Sequence, residues 1–420
     1  MALLTVLADD LTGAADTAAL ISEAGANTMV ISDCLSGFGT HADYDVNALF
    51  INMHSRTLSG AEAKSLHQLI SGQLKLSPDT LIVKKMDIGF RGNAGYEIEG
   101  MMETLPFDVC FVLDSIADLN TFTLYGNQYA QGALLSKSVY ASEDPLKAPS
   151  ESHIPTILSK QTNLPIASID IDAVKGSALV EAVSEALSAG ARCLVFDAVS
   201  NADQDKIVSM LAPVYPNALW AGSLGLMQAV SNYLYGGVKK AKNIRRAKER
   251  ALGFTSSAYS VVKRQLQVAE LLGLHVETLD MDRVISGDSS AIQQAAENVL
   301  AAIKDRDVFL KPRLSKEYEC PDASERILEG MVACADIICR EAEFERLVFV
   351  GGETAAAIMK KLEIDEFIIT KKTEVGIGTG YIYSGKYKGK SISMKGGSVG
   401  SIEAIVKMLG YEIKEQTRGE

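Results

Sequence analysis

Residues 3–24 read LLTVLADDLTGAADTAALISEA. The short apolar run Leu3–Leu7 has the length of a buried strand, and the Ala-rich stretch Ala14–Ala24 has the composition and length of a helix. Between them lies Ala8-Asp9-Asp10-Leu11-Thr12-Gly13. A strand thus runs through two acids and a Thr-Gly pair straight into a helix. One Asp at a helix start is ordinarily an N-cap, but two adjacent acids followed by Thr-Gly are more than a cap requires. Repeated along a chain, this strand–polar turn–helix unit defines an α/β fold with mostly parallel sheets.

The unit recurs. Further strands are expected at Thr28–Ser32, Leu49–Met53, Leu81–Lys85, Asp108–Leu113, Ile166–Ile171 and Cys193–Phe196. In the second half they are expected at Ala251–Thr255, His275–Leu279, Val308–Lys311, Leu347–Val350, Phe367–Lys371 and Ser391–Lys395. Helices are expected at Ser177–Ala189, closed by Gly190, and at Ser257–Leu272 and Ala291–Asp305. The segment after Gly236-Gly237 is strongly basic: residues 236–251 hold seven Lys or Arg and one acid. The expected organisation is a first domain at 1–237, a basic linker at 238–250 and a second domain at 251–420, each a mostly parallel sheet flanked by helices.

Composition narrows the function. The 420 residues carry a net charge of −12, and the first 235 hold 26 acids against 12 bases. Such a chain is a poor nucleic-acid binder, and its single short basic run reads as a solvated linker. No apolar run approaches the roughly 18 residues of a membrane span, and the N-terminal stretch lacks the features of a secretory leader. The six cysteines are scattered without a CxxC pair, which argues against a zinc site and for reduced thiols in the cytoplasm. Composition leaves a homo-oligomer open.

The turns that leave the strands carry the chemistry. The third strand ends at His54-Ser55-Arg56. The fourth runs into Lys84-Lys85-Met86-Asp87, then Arg91-Gly92-Asn93, and the fifth ends at Asp114-Ser115. In a parallel sheet these loops share the edge outside the carboxyl ends of the strands, where such folds bind ligands. Arg and Lys there suit a carboxylate, and Asp suits hydroxyls. The second half substitutes glycine for charge. Leu347–Val350 leads into Gly351-Gly352-Glu353-Thr354, and the last strand into Lys395-Gly396-Gly397-Ser398-Val399-Gly400. Trp220-Ala221-Gly222-Ser223-Leu224-Gly225 has the same form, and Thr255 leads into Ser256-Ser257-Ala258-Tyr259-Ser260. A strand, glycines and a helix start make a phosphate cradle. There is no GxxxxGK[ST] loop and no GxGxxG fingerprint, so these residues alone leave kinase and dehydrogenase both open.

In their order, these segments resemble the four-carbon acid sugar kinases, the family of D-threonate, D-erythronate and 3-oxo-tetronate kinases, almost end to end. ADDLTGA, KKMDIGFRGNAGYEIEG (Lys84–Gly100), GNQYAQGALLSKSVYASEDPLKAPSES (Gly126–Ser152), FDAVSNAD, WAGSLGL, SSAYSVVKRQ, VGGETA and KGGSVG carry the resemblance. It implies an N-terminal domain that binds the acid sugar, a C-terminal domain that binds ATP, and transfer in a cleft between them. It assigns Asp10, Thr12, Ser55, Arg56, Lys85, Asp87 and Arg91 to the sugar. It assigns Ser260, Gly351, Gly352, Glu353, Thr354 and Gly397 to ATP. The chain offers no all-protein metal cage, so Mg2+ is expected to arrive with ATP. Asp87 is the favoured general base with Asp10 orienting the sugar, the reverse being nearly as good; Lys85 and Arg91 complete the catalytic set.

The chain departs from the family pattern in four places. Ile88-Gly89 follows the Asp where Ser-Thr or similar is usual. DSIADLNTF (Asp114–Phe122) replaces a Pro-Ala-x-x-Pro…Gly-Arg loop and has no Arg. Ala258 and Val399 stand for a serine and an aromatic. Two other readings compete: a non-catalytic sugar-acid and nucleotide-binding protein, and a nicotinamide-dependent hydroxy-acid oxidoreductase.

Overall fold

Strands alternate with helices from the first residues, and the chain divides into two units, Met1–Ala241 and Lys242–Glu420. The computed structural model describes residues 3–35, 46–74, 76–77, 79–143, 148–236, 250–314 and 323–411. The expected linker at 238–250 therefore lies, except for Arg250, outside the described residues, as does Gly237.

In the first unit the strands are β1 (Leu4–Ala8), β2 (Thr28–Ile31), β3 (Ala48–Asn52), β4 (Leu81–Lys85), β5 (Val109–Leu113), β6 (Phe122–Leu124), β7 (Asn127–Ala130), β8 (Ala133–Leu134), β9 (Ile166–Ile169), β10 (Cys193–Phe196) and β11 (Ala218–Gly222). Eight of them form a wholly parallel sheet in the order β2-β3-β1-β4-β11-β5-β10-β9. The chain lays β2 and β3 on one side of β1 and then crosses to β4 on the other. β1 is thus a switch point of the topology, where the outgoing loops diverge and open a crevice. β6, β7 and β8 form a small antiparallel meander of their own.

Local chemistry explains these elements. β1 and β5 are buried along their whole length, as strands covered on both faces must be. The helix Leu11–Glu23 starts three residues before the expected Ala14 because Asp10 caps it, accepting the amide of Gly13 at 2.7 Å. Such a cap is worth about 1 kcal/mol. Ala14, Ala15, Ala18 and Ala19 are all fully buried. Side chains that small let the helix lie close on the sheet. Phe111 anchors the opposite half of the core, with Phe196, Tyr215 and Trp220 edge-on at 5.5, 5.5 and 5.2 Å.

The second unit holds β12 (Ala251–Thr255), β13 (His275–Asp280), β14 (Val308–Arg313), β15 (Arg346–Val350), β16 (Glu366–Glu374), β17 (Ile377–Ile382) and β18 (Ser391–Lys395). Five run parallel in the order β13-β14-β12-β15-β18; β17 then pairs antiparallel with both β18 and β16. β12 is the switch point here. Two strands of the large sheets were not legible in the sequence. β11 (ALWAG) is short and ends in glycine, and β17 (IGTGYI) alternates with glycines that suggest a loop. Gly380 on β17 is forced by close packing, since a Cβ would sit 1.8 Å from the Ile368 carbonyl oxygen.

Candidate active site

Sheet register brings the polar loops of the first unit to one level. Ala8 pairs with both Asn52 and Lys85, and Gly222 pairs with both Lys85 and Leu113. The loops after β1, β3, β4, β11 and β5 therefore leave the sheet side by side. Arg56 sits at the centre. Its guanidinium lies 3.2 Å from Asp9 Oδ2, 3.3 Å from Asp10 Oδ2 and 3.4 Å from Asp87 Oδ1. Arg91 grips Asp87 with a two-pronged contact, Nε to Oδ2 and Nη2 to Oδ1, each 2.7 Å. The same guanidinium lies over the Tyr140 ring at 4.9 Å. Thr12 donates its hydroxyl to Asp10 Oδ2 at 2.8 Å. Lys85 Nζ donates to the Met86 carbonyl at 3.0 Å and lies beside Gly13, 3.1 Å from where a Cβ there would stand.

Charge and burial oppose each other throughout this cluster. Burial works to raise the Asp87 carboxyl, but Arg91 and Arg56 outweigh it and hold the group well below the usual carboxylate range. Asp10 follows the same balance: burial pushes up, while Arg56, Lys85, Thr12 and Gly13 bring it down. Burial pulls the Lys85 ammonium down, but Asp16, Asp9, Asp10 and Asp87 more than reverse this and keep it charged. In three acids burial wins: it pushes Asp9 up against the pull of Arg56 and Lys84. Asp16 and Asp114 are each pushed up to about 7.

Six of the seven sugar-side residues expected from the resemblance thus meet in one cluster: Asp10, Thr12, Arg56, Lys85, Asp87 and Arg91. Ser55 lies beneath it, wholly buried with its hydroxyl toward Glu97. Three acids escaped the expected set. Asp9 and Asp114 were visible at strand ends; Asp16 had no signal beyond an Asp inside an Ala-rich helix. Beneath the crevice is a fully buried ion pair, Lys84 Nζ to Glu97 Oε2 at 3.0 Å, with Lys84 also donating to the Lys85 carbonyl at 2.8 Å. The Ile88-Gly89 departure has a local reason. The Gly89 amide donates to Asp87 Oδ2 at 2.9 Å, and a Cβ there would meet Asp87 Oδ2 at 2.9 Å and Arg91 Nε at 3.1 Å. The Asp87–Arg91 contact closes over residue 89, where any side chain would crowd it.

The second unit gathers glycine loops by the same device. Thr255 pairs with Val350 and Val350 with Lys395, so the loops after β12, β15 and β18 are neighbours. Gly351, at φ 105°, adopts a conformation that only glycine takes readily, and it opens the helix Gly352–Lys361, with Glu353 and Thr354 in its first turn. The Thr354 and Ser256 hydroxyls are hydrogen-bonded to each other. Gly397 faces the β12 loop, where a Cβ would meet Ser257 Oγ at 2.5 Å and Tyr259 Cδ2 at 2.9 Å. Ser260 begins the helix Ser260–Leu271. These loops bring two helix N-termini, Ser260 and Gly352, beside a glycine turn, the arrangement that backbone amides need to hold an anion. WAGSLGL, read from sequence as a third cradle, is packed instead. A Cβ on Gly222 or Gly225 would sit 2.0 Å from the carbonyl oxygen of Leu113 or Ser115.

The protein is thus a two-unit α/β chain with a charged crevice in one unit and glycine loops at helix starts in the other. The sugar-binding N-terminal domain model matches residues 4–230, and the nucleotide-binding C-terminal domain model matches residues 255–405. The chain is 25% identical to D-threonate kinase of Salmonella typhimurium over 99% of both chains. It is 23% identical to D-erythronate kinase of Heliobacterium modesticaldum, over 98% of this chain and 97% of the relative. With 3-oxo-tetronate kinase of Pseudomonas fluorescens the identity is 23%, over 97% and 96%. A solved Salmonella typhimurium structure superposes with a TM-score of 0.79 at 19% identity, over 96% of this chain and 98% of that one. A Haemophilus influenzae structure gives 0.71 at 21%, over 97% and 99%. The chain belongs to the four-carbon acid sugar kinase family.

Proposed function

We propose that the protein transfers the terminal phosphoryl group of ATP to a hydroxyl of a four-carbon acid sugar. Residues 1–237 would hold the sugar and residues 251–420 the nucleotide. The observation that carries this reading is Arg56 ringed by Asp9, Asp10 and Asp87 at the switch point of the first sheet. A substrate carboxylate displaces part of that ion-pair network and takes guanidinium or ammonium partners from Arg56, Arg91 or Lys85, while the released Asp oxygens accept its hydroxyls. Phosphoryl transfer asks chiefly for positioning and for positive charge around the moving group.

The geometry favours Asp10 over Asp87 as the acceptor of the hydroxyl proton. Asp87 spends both oxygens on Arg91 and one of them also on Arg56, whereas Asp10 is the more open of the two, with 17% of its side chain exposed against 9%. Asp87 then acts by holding Arg91 and Arg56 in place. On the nucleotide side, the amides of the 351–354 and 396–400 loops and the N-terminus at Ser260 would meet the phosphates. Among the described residues no cluster of three or more acids, histidines or cysteines is built to hold a cation. A Mg2+ ion brought by ATP would neutralise phosphate charge, with Glu353 in the first turn of the helix that Gly351 opens.

The test is a coupled assay for ADP release with D-threonate, D-erythronate and 3-oxo-tetronate, each with ATP and Mg2+. Sugar-dependent ADP release with one of them is expected. Binding of nucleotide and acid with no turnover on any four-carbon acid would favour the non-catalytic alternative. Reduction of NAD by the same acids would favour the oxidoreductase.

A further inference from the structure

Two buried side chains hold the loop after β18 by its carbonyls. Lys395 Nζ donates to the carbonyl oxygens of Gly396 at 2.8 Å and Val399 at 2.9 Å. Gln265, on the helix Ser260–Leu271, donates Nε2 to Val399 at 3.3 Å, Gly400 at 3.1 Å and Ser401 at 2.8 Å. Both side chains have no solvent exposure. In a trans peptide the N–H points opposite to the C=O that precedes it. Tying the carbonyls of Gly396 and Val399 inward therefore turns the amides of Gly397 and Gly400 outward. Neither amide makes a hydrogen bond among the described residues. Where the loop ends, the Ser401 amide is taken by Glu374 at 2.8 Å, which is itself held by Lys407 at 2.6 Å.

We propose that Lys395 and Gln265 are positioning residues of the nucleotide site, which fix the 396–401 loop with its carbonyls inward so that the amides of Gly397 and Gly400 face the phosphates. The inference rests on the reading of the second unit as the nucleotide domain. It gives a role to two residues that touch no ligand themselves, Lys395 at the start of KGGSVG and Gln265 at the end of SSAYSVVKRQ. The buried ammonium of Lys395 also lies under the loop. Burial brings it down to about 7, and Glu374, the one charged group that acts on it among the described residues, pulls the other way. Near neutral pH this lysine is only partly charged, and an anion seated on the loop favours the charged form. Affinity for a phosphate ligand is then greatest below about pH 7 and falls as pH rises above it.

The experiment is calorimetric titration of the full-length protein with Mg·ADP, and with adenosine as the phosphate-free control. Gln265→Met and Lys395→Met are each expected to weaken Mg·ADP by about 10-fold or more, the effect of losing hydrogen bonds that orient charge-binding amides, with adenosine changed by less than about 2-fold. Wild-type affinity for Mg·ADP is expected to fall between about pH 6.5 and 8.5, and Lys395→Met to lack that slope. Loss of adenosine and Mg·ADP in equal measure marks a merely structural role and overturns the proposal. Unchanged Mg·ADP affinity overturns it too, as does a flat wild-type pH profile. If Lys395→Met does not fold, Gln265→Met and the wild-type profile decide the matter. A wild-type protein that binds neither ligand removes the nucleotide reading itself, an outcome separate from failure of the variants.

Discussion

The two ligand edges of this protein solve the same problem with opposite materials. In the first unit, Arg56, Arg91 and Lys85 face Asp9, Asp10 and Asp87, a proposed site of charged side chains that neutralise one another. In the second unit the proposed site is glycine backbone, with the buried side chains of Lys395 and Gln265 hydrogen-bonded to the carbonyls behind it. A charged crevice can adapt to a new acid by changing one residue. A backbone cradle can only be kept or lost. The departures at Ile88-Gly89 and in 114–122 fall on the charged side, while Ala258 and Val399 fall on the other, where Gly351 and Gly397 stand unaltered.

That contrast is open to breakage. The largest effect is expected at the charged edge: Asp10→Asn should lower turnover by about 10²–10⁴-fold with Mg·ATP affinity near wild type. If Asp87→Asn proves the deader of the two while Asp10→Asn turns over normally, the base and orienting roles are exchanged. Near-normal turnover in both variants would remove the chemistry from this crevice.

A step below in size is the pair under that edge. Lys84→Met strands Glu97 in the core and should cost about 3–5 kcal/mol of unfolding free energy, read from urea denaturation; Lys84→Met with Glu97→Leu should recover a large part of it. Equal losses in the single and double variants would show that packing, not the uncompensated charge, sets the cost.

On the backbone edge, Gly397→Val should weaken Mg·ADP by about 100-fold, because its Cβ would collide with Ser257 and Tyr259, while binding of the acid sugar stays unchanged. Comparable loss of both ligands would mean that the two edges are not independent.

The smallest effect is a pH dependence beneath the charged edge. Burial pushes His67 down to about 4. The unfolded chain protonates this residue near 6.5 and the folded one near 4, so the neutral ring's contribution is complete above the unfolded value and is lost as pH falls through that window. Between pH 7 and 5 this amounts to about 2 kcal/mol. His67→Gln should lack that share of the acid sensitivity; an identical pH profile in the variant would refute the assignment.

Much of the fold could be read directly. β10 and β12 lie where short apolar runs place them, because strands covered on both faces read as near-continuous apolar runs. β11 and β17 could not be read, since their glycines exist to admit a neighbouring backbone that is distant in sequence. The candidate site divides along the same line. Asp10, Arg56, Lys85, Asp87 and Arg91 were legible because they follow strands, and in a parallel sheet every strand end leads to one edge. Asp16 was not, for a helix position points it at Lys85 only after the helix has packed on the sheet.

By itself the sequence determined the alternation of strand and helix, the charge on one set of turns and the glycine on the other, because strand burial and backbone conformation are local demands. Only the tertiary structure decided which charges meet. Whether an acid is clamped down, as Asp87 is by two arginines, or pushed up to about 7, as Asp16 and Asp114 are, depends on the balance of burial against neighbouring charge. That balance is a property of distances through space, and the linear order of residues does not contain it.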